Sequence, residues 1–191
     1  TGTIVSGTYN DENIKNYAHG MFQSVYDYPY LSSSANHIFD ITLGFSNESA
    51  LSASTTSQQA KKQNIYNQMA QVLMGYNKSG VIQKFDSDGN LFDTTTDKMN
   101  DCIFLNFSRL LVKDELQKGT FTLELGISDS YADPFPARVT LKDTGASSDY
   151  RVNSPTGEYG ILYINNSAGV GLDGITGSTQ QEAGLLFYQA G

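Results

Sequence analysis

The run DCIFLNFSRLLVKDELQKGTFTLELG, residues 101–126, reads as two strands and a polar connection. In the first arm Ile103, Leu105 and Phe107 share one parity, and Cys102, Phe104 and Asn106 share the other. In the second arm Phe121, Leu123 and Leu125 alternate with Thr120, Thr122 and Glu124. Alternation with period two marks strands that bury at least one face. The first arm is apolar on nearly both faces, which predicts a strand in the interior of a sheet. The second has a wet face, which predicts a place nearer solvent. The link Leu110–Gly119 carries Lys113, Asp114, Glu115, Gln117 and Lys118, and Gly119 can supply a turn with positive φ.

Outward from this pair, the N-terminal side reads as helical. Residues 1–9 predict a short strand or arm, and Asn10 or Asp11 can cap a helix over 11–27. There Ile14, Tyr17, Ala18, Met21, Phe22, Val25 and Tyr26 recur at offsets of three and four, which gives one dry stripe. Gly20 weakens this helix by about 1 kcal/mol relative to Ala, and Pro29 ends it. Residues 37–45 alternate as a strand, and 46–57 are a polar loop. A second helix over 57–76 presents Ile65, Met69, Val72, Leu73 and Tyr76, widened by Tyr66 and Ala70. Gly75 and Gly80 stand where it should stop. Val81–Phe85, the turn at 86–90, and Leu91-Phe92 predict a hairpin.

On the C-terminal side a loop with Pro134 and Pro136 precedes strands at 137–142, 158–164 and 183–189. The stretches 143–157 and 165–180 between them read as Gly- and Ser-rich loops. There is no internal repeat and no domain linker. Helices early and strands late predict a single α+β domain over 1–191, a mostly antiparallel sheet with two amphipathic helices in the N-terminal half packed against it.

Composition narrows the classes. The net charge is 12 − 20 = −8, and no Lys/Arg cluster is longer than Lys61-Lys62. Nucleic-acid binding and attachment to anionic membranes both need basic surface, so neither is expected. No stretch approaches the roughly 20 apolar residues of a membrane span. The 12 Tyr and 10 Phe can anchor a core even with hydrophobic residues at 39% and no Trp. The chain starts at Thr1 and stops at Gly191, just after the apolar run 184–188, as expected of a processed chain or a piece of a longer one.

Reaction chemistry is poorly represented. Cys102, the sole cysteine, sits in the predicted interior strand, where a buried inert thiol is the expectation. Its only possible histidine bases are His19 and His37, and no Gly-x-Ser-x-Gly elbow occurs. Two histidines and one cysteine cannot assemble a typical zinc site. Asp86-Ser87-Asp88-Gly89-Asn90 with Asp97 resembles part of a calcium loop. Its glycine comes at position four where such a loop wants six, and no Glu closes it, so an Asp-Gly turn is the plainer account. Twenty acids single out no glycosidase pair. The glycines at 169–177 lack the Lys-Ser/Thr ending of a phosphate loop. The sequons at Asn47, Asn77, Asn106 and Asn165 read as chance.

Three stretches, NIYNQMAQVLMG (64–75), KMNDCIFLNFSRLLVKDELQKGTFTLELG (98–126) and GLLFYQAG (184–191), together resemble virion structural proteins of contractile-tailed bacteriophages, notably those infecting marine cyanobacteria. The likeness covers about half the chain. It implies a virion component of the tail, baseplate or neck, non-enzymatic and without cofactor or metal. It also implies a homo-oligomer whose partners are its own copies and other virion proteins. In such proteins a phrase like LLFYQAG continues into a further apolar strand. Polar uncharged loops and Tyr-rich faces suit wet subunit contacts. The arms 1–9 and 183–189 either add strands to a neighbour or complete their own sheet. The alternative is a receptor- or carbohydrate-binding module of a fibre or secreted protein, acting through Tyr-bearing loops.

Overall fold

The computed structural model describes residues 11–53, 56–91, 97–108, 114–126, 136, 138–165 and 181–191. The expected arm at 1–9, Phe92, Pro134 and the glycine run 169–177 lie outside them. The chain divides into two compact units, one of Thr1–Phe85, Lys98–Asp114 and Gly191, the other of Asp86–Asp97 and Glu115–Ala190. Every ladder among the described residues is antiparallel, and the architecture is α+β with one α-helix.

The first unit is a four-stranded sheet in the order β1 (Ile14–Asn16), β2 (Gln23–Tyr26), β3 (His37–Phe45), β4 (Asp101–Phe107). The helix expected over 11–27 is instead a 3-10 turn, Asp11–Asn13, and the β1–β2 hairpin. Gly20, at φ +64°, returns the chain, with its N–H bonded to the Tyr17 carbonyl at 3.0 Å. The apolar offsets of three and four that suggested a stripe place Ile14 opposite Val25 across the hairpin. Pairing of β2 with β3 over Gln23↔Ile41 to Val25↔Phe39 outweighs the helical pattern, because a short helix with an interior glycine has little intrinsic stability.

The helix α1 spans Ser57–Leu73 behind a capping box formed by Thr56 and Gln59. Its inward residues are Lys62, Ile65, Tyr66 and Ala70, followed by Met74. Val72 and Tyr76, expected on the stripe, are 60% and 52% exposed. The packed face is therefore rotated toward Lys62 and Tyr66. The helix stops at the anticipated glycine: Gly75, at φ +75°, returns its N–H to the Ala70 carbonyl at 3.1 Å.

α1 lies on the Asp40–Thr42–Gly44 face of β3, not on the Phe39–Ile41–Leu43 face. A Cβ at Gly44 would meet the Tyr66 backbone nitrogen and the Phe104 ring, both at 2.9 Å. Tyr66 and Phe85 meet edge-on at 5.5 Å between ring centroids, and Phe104 closes the cluster. Ile65, Ala70 and Met74 are buried on the same side, whereas the buried Phe45 belongs to the other parity of β3.

β4 pairs along its whole length with β3, from Asp101↔Phe45 to Phe107↔Phe39. Among the described residues it has no second strand neighbour, so it stands at the edge of this sheet and not in its interior, and it does not pair with the second arm of the 101–126 run. Two-faced hydrophobicity reports what lies above and below a strand, and is silent on what lies beside it. Leu91 does not pair with 81–85 as the expected hairpin requires, and Phe92 lies outside the described residues. Gln83 bonds back to the Gly75 carbonyl at 2.9 Å and Met99 bonds to the Phe85 carbonyl at 3.0 Å.

The second unit is a five-stranded sheet. β8 (Gly157–Asn165) is its centre, with β9 (Gln181–Phe187) along one side and β6 (Arg138–Lys142) and β7 (Tyr150–Ser154) sharing the other. β5 (Thr122–Gly126) pairs with β6 at the edge, with Thr122 and Glu124 exposed as expected. β7 falls inside the expected loop 143–157. Its sequence, YRVNS, carries little alternation, and its ladder shifts register between Arg151 and Ser154. Val139, Leu141, Leu162, Ile164, Leu186 and Tyr188 make the core on one face of this sheet. Tyr159 and Ile161 are buried on the other, which accounts for the continuous apolar run of β8.

Candidate functional site

The groups closest to a chemical constellation lie in the first unit, where β2 meets β3. Ser24, 3% exposed, is the Cα partner of Asp40. Its hydroxyl donates to Asp40 Oδ1 at 2.5 Å, and the His37 Nε2–H donates to the same oxygen at 2.9 Å. With the Ser24 proton so engaged, the Tyr17 hydroxyl donates to Ser24 Oγ at 3.1 Å. These are the residue types of an acyl-transfer triad wired in a different order. A nucleophile needs its hydroxyl bonded to the base and the base oriented by the acid. Here the carboxylate takes both protons and serine makes no hydrogen bond to histidine. The arrangement ties two strands together. Ser24 carried no signal in the sequence, because its bond to Asp40 spans 16 positions and rests on a hairpin read as a helix.

Asp40 also lines a cavity of about 350 Å³ between the β1–β2 turn, β3, β4 and α1. Its apolar walls come from Met21, Phe22, Ile65, Met69 and Phe104, with Thr42 and Gln68 among its polar groups. Beneath it the Met21 carbonyl accepts from both the Thr42 hydroxyl and the Lys62 ammonium. Lys62 is 7% exposed, and burial pushes its pKa below the ordinary lysine value.

Cys102 and His37 are not brought together. Cys102 pairs with Gly44, seven positions along β3 from His37, roughly 23 Å at strand rise. The thiol Sγ lies 3.7 Å from the Met99 carbonyl, and burial, with the charge of Asp101 second, pushes its pKa up to about 12.

In the second unit Asp86 is fully buried, and its Oδ1 accepts the N–H groups of Asp88 at 3.3 Å and Asn90 at 3.2 Å. Gly89, at φ +73°, completes the turn. Arg151 and Asn153 of β7 hold it by donating to the carbonyls of Asp88 and Gly89, at 3.1 and 2.9 Å. The segment resembling a calcium loop is thus a turn docked on β7. Among the described residues no three His, Cys, Asp or Glu side chains converge as a metal cage. Asp149, held below the usual carboxylate range by hydrogen bonds from Tyr163 and Arg151, lies in this same neighbourhood. Glu182 is pushed above that range, by burial first and the charge of Asp88 next.

Of the sequons, Asn47 and Asn77 are exposed, Asn106 stands on the cavity side of β4, and Asn165 ends β8. No helix of the described chain is long and apolar enough to cross a membrane. No protein-family model matches the chain, and no curated protein or solved structure matches it either.

Proposed function

We propose that this chain is a non-enzymatic structural or assembly subunit of a contractile-tailed phage virion, in the tail, baseplate or neck, working through contacts with its own copies and other virion proteins. The resemblance of residues 64–75, 98–126 and 184–191 motivates the reading, and one structural observation carries it. The only α-helix among the described residues covers the more polar face of the first sheet. Among the described residues no helix lies on the face bearing Phe39, Leu43, Ile103, Leu105 and Phe107, and Ile103 at its β4 end is 62% exposed. An apolar sheet face that ends at an open edge strand suits a subunit contact.

The test is mass by light scattering or native mass spectrometry on the wild-type chain and Ile103→Glu. A symmetric oligomer that falls to monomer in a variant with unchanged far-UV circular dichroism supports the reading. A wild-type monomer across the micromolar range overturns self-assembly.

A second reading, a carbohydrate-binding module, draws on the aromatic side chains of the first unit. Tyr17 and His19 stack with ring centroids 5.2 Å apart, and Tyr28 is 59% exposed. Glycan binding by a monomer, lost in Tyr28→Ala, would favour it over assembly.

A further inference from the structure

Asp40 is the one charged wall of the 350 Å³ cavity among the described residues, and only half of its carboxylate is engaged. Oδ1 accepts from the Ser24 hydroxyl and the His37 ring, whereas Oδ2 receives no hydrogen bond among the described residues. Two more polar side chains stand in the same walls without a hydrogen-bond partner among those residues, the amides of Asn106 and Gln68. Asn106 is the Cα partner of Asp40 across the β3–β4 ladder, so both side chains rise from one face with their Cβ atoms roughly 5 Å apart. One row along the same face the pair is Thr42 and Phe104, and Ile65 and Met69 of α1 close the cavity there. The Thr42 hydroxyl is already engaged on both sides, by the Met21 carbonyl and the Lys62 ammonium. The cavity thus has one end with a negative charge and three open acceptors, and another end that is apolar.

We propose that this cavity binds a small primary amine in its ammonium form, whose cationic head lies at Asp40 and Asn106 while a short apolar tail lies along Phe104, Ile65 and Met69. An ammonium has three protons to place, and Asp40 Oδ2 with the amide oxygens of Asn106 and Gln68 supplies three acceptors. The volume is at the small end of ligand pockets, and the walls are mostly apolar with few polar groups, as such pockets are. A hard metal ion does not suit these walls. It wants about six oxygens, several of them charged, and no three His, Cys, Asp or Glu converge among the described residues. Lys62 fixes the orientation. Its ammonium stands behind Met21 and Thr42, bonded to both, at the apolar end. Thr42 is two positions along β3 from Asp40, roughly 7 Å, so the lysine charge repels a cationic head from its own end and leaves it the Asp40 end.

Calorimetric titration of the whole chain with hexylammonium, hexanol and hexanoate tests this, at about pH 8, where an alkylamine is charged and a histidine of ordinary pKa is neutral. The three probes share a tail and differ in the charge of the head. Hexylammonium should bind at least about tenfold more tightly than hexanol, as expected for one charge-assisted hydrogen bond, and hexanoate should bind no better than hexanol. Asp40→Asn, which keeps the shape and removes the charge, should bring hexylammonium down to the hexanol level. Met69→Trp, which fills the apolar end without touching Asp40, should abolish binding of hexylammonium and hexanol alike. The proposal is overturned by absence of hexylammonium binding, by preference for hexanoate, or by hexylammonium affinity that survives either substitution. If Asp40→Asn does not fold, the order of the three probes on the wild-type chain and the Met69→Trp result decide the matter by themselves.

Discussion

Gly44 faces the backbone of Tyr66 so closely that a Cβ at position 44 would stand 2.9 Å from the Tyr66 nitrogen and 3.1 Å from its Cα. Backbone cannot yield as a side-chain tip can, so α1 would have to lift off β3. Gly44→Ala should destabilise the first unit by about 1–3 kcal/mol, the usual cost of overpacking. Gly184→Ala is the control. Its Cβ would meet nothing closer than Leu162 at 3.6 Å, and it should change stability by less than about 0.5 kcal/mol. Urea unfolding of both variants separates a steric role for Gly44 from a general penalty on strand glycines.

That contact also shows what was legible in the sequence. β3 and α1 could be read because their periods are local: alternation over 37–45, an apolar stripe over 57–76, and a glycine at the stop. Which face of β3 meets the helix was not legible. The apolar parity of Phe39, Ile41 and Leu43 pointed one way, and a single glycine in the polar parity, small enough to admit Tyr66, decided the other. The β1–β2 hairpin was hidden because its offsets imitate a helical stripe. β7 was hidden because its partner supplies most of its regularity. The candidate site was least legible. Lys62 and Met21 are 41 positions apart, and Ser24 and Asp40 are 16 apart. No local pattern announces such pairs.

Asp143 is 1% exposed and acts as a bracket between loop and sheet. Its two oxygens accept the N–H groups of Gly119 at 2.7 Å and Phe121 at 3.0 Å. Asp143→Ala would remove the carboxylate acceptor of both amides and should cost about 3–5 kcal/mol. Asp143→Asn keeps one acceptor oxygen and should cost less. Amide hydrogen exchange at Gly119 and Phe121 should rise in both variants, and more in the alanine variant. Unchanged protection there would show that the bracket carries no energy.

Glu182 and Asp149 should shape the acid response of the second unit in opposite senses. The folded pKa of Glu182 is raised, so its contribution favours folding below the unfolded glutamate value of about 4.3 and is lost as pH rises through the folded value. Glu182→Gln should therefore raise the melting temperature at pH 7 and have no such benefit below about pH 4. The folded pKa of Asp149 is lowered, so its contribution is present above the unfolded aspartate value of about 3.9 and lost as pH falls through the folded one. Asp149→Asn should lower the melting temperature at pH 7 and lose that effect in acid. Melting curves at pH 3, 5 and 7 check both signs.

Cys102 should behave as a packed thiol with little reactivity. Alkylation proceeds through the thiolate, and a pKa pushed up to about 12 leaves very little of it at pH 8. Iodoacetamide should label the folded chain about a thousandfold more slowly than the same chain in urea, where the thiol returns to its ordinary value near 8.5. Both the position of Cys102 on the helix side of β4 and its contact with the Met99 carbonyl predict that Cys102→Ser leaves the mass in solution unchanged from that of the wild-type chain. Labelling of the folded chain at the rate of an exposed thiol would mean that the α1 face of β4 opens readily. The Gly44–Tyr66 contact would then have to open with it, and the Gly44→Ala variant should label faster still.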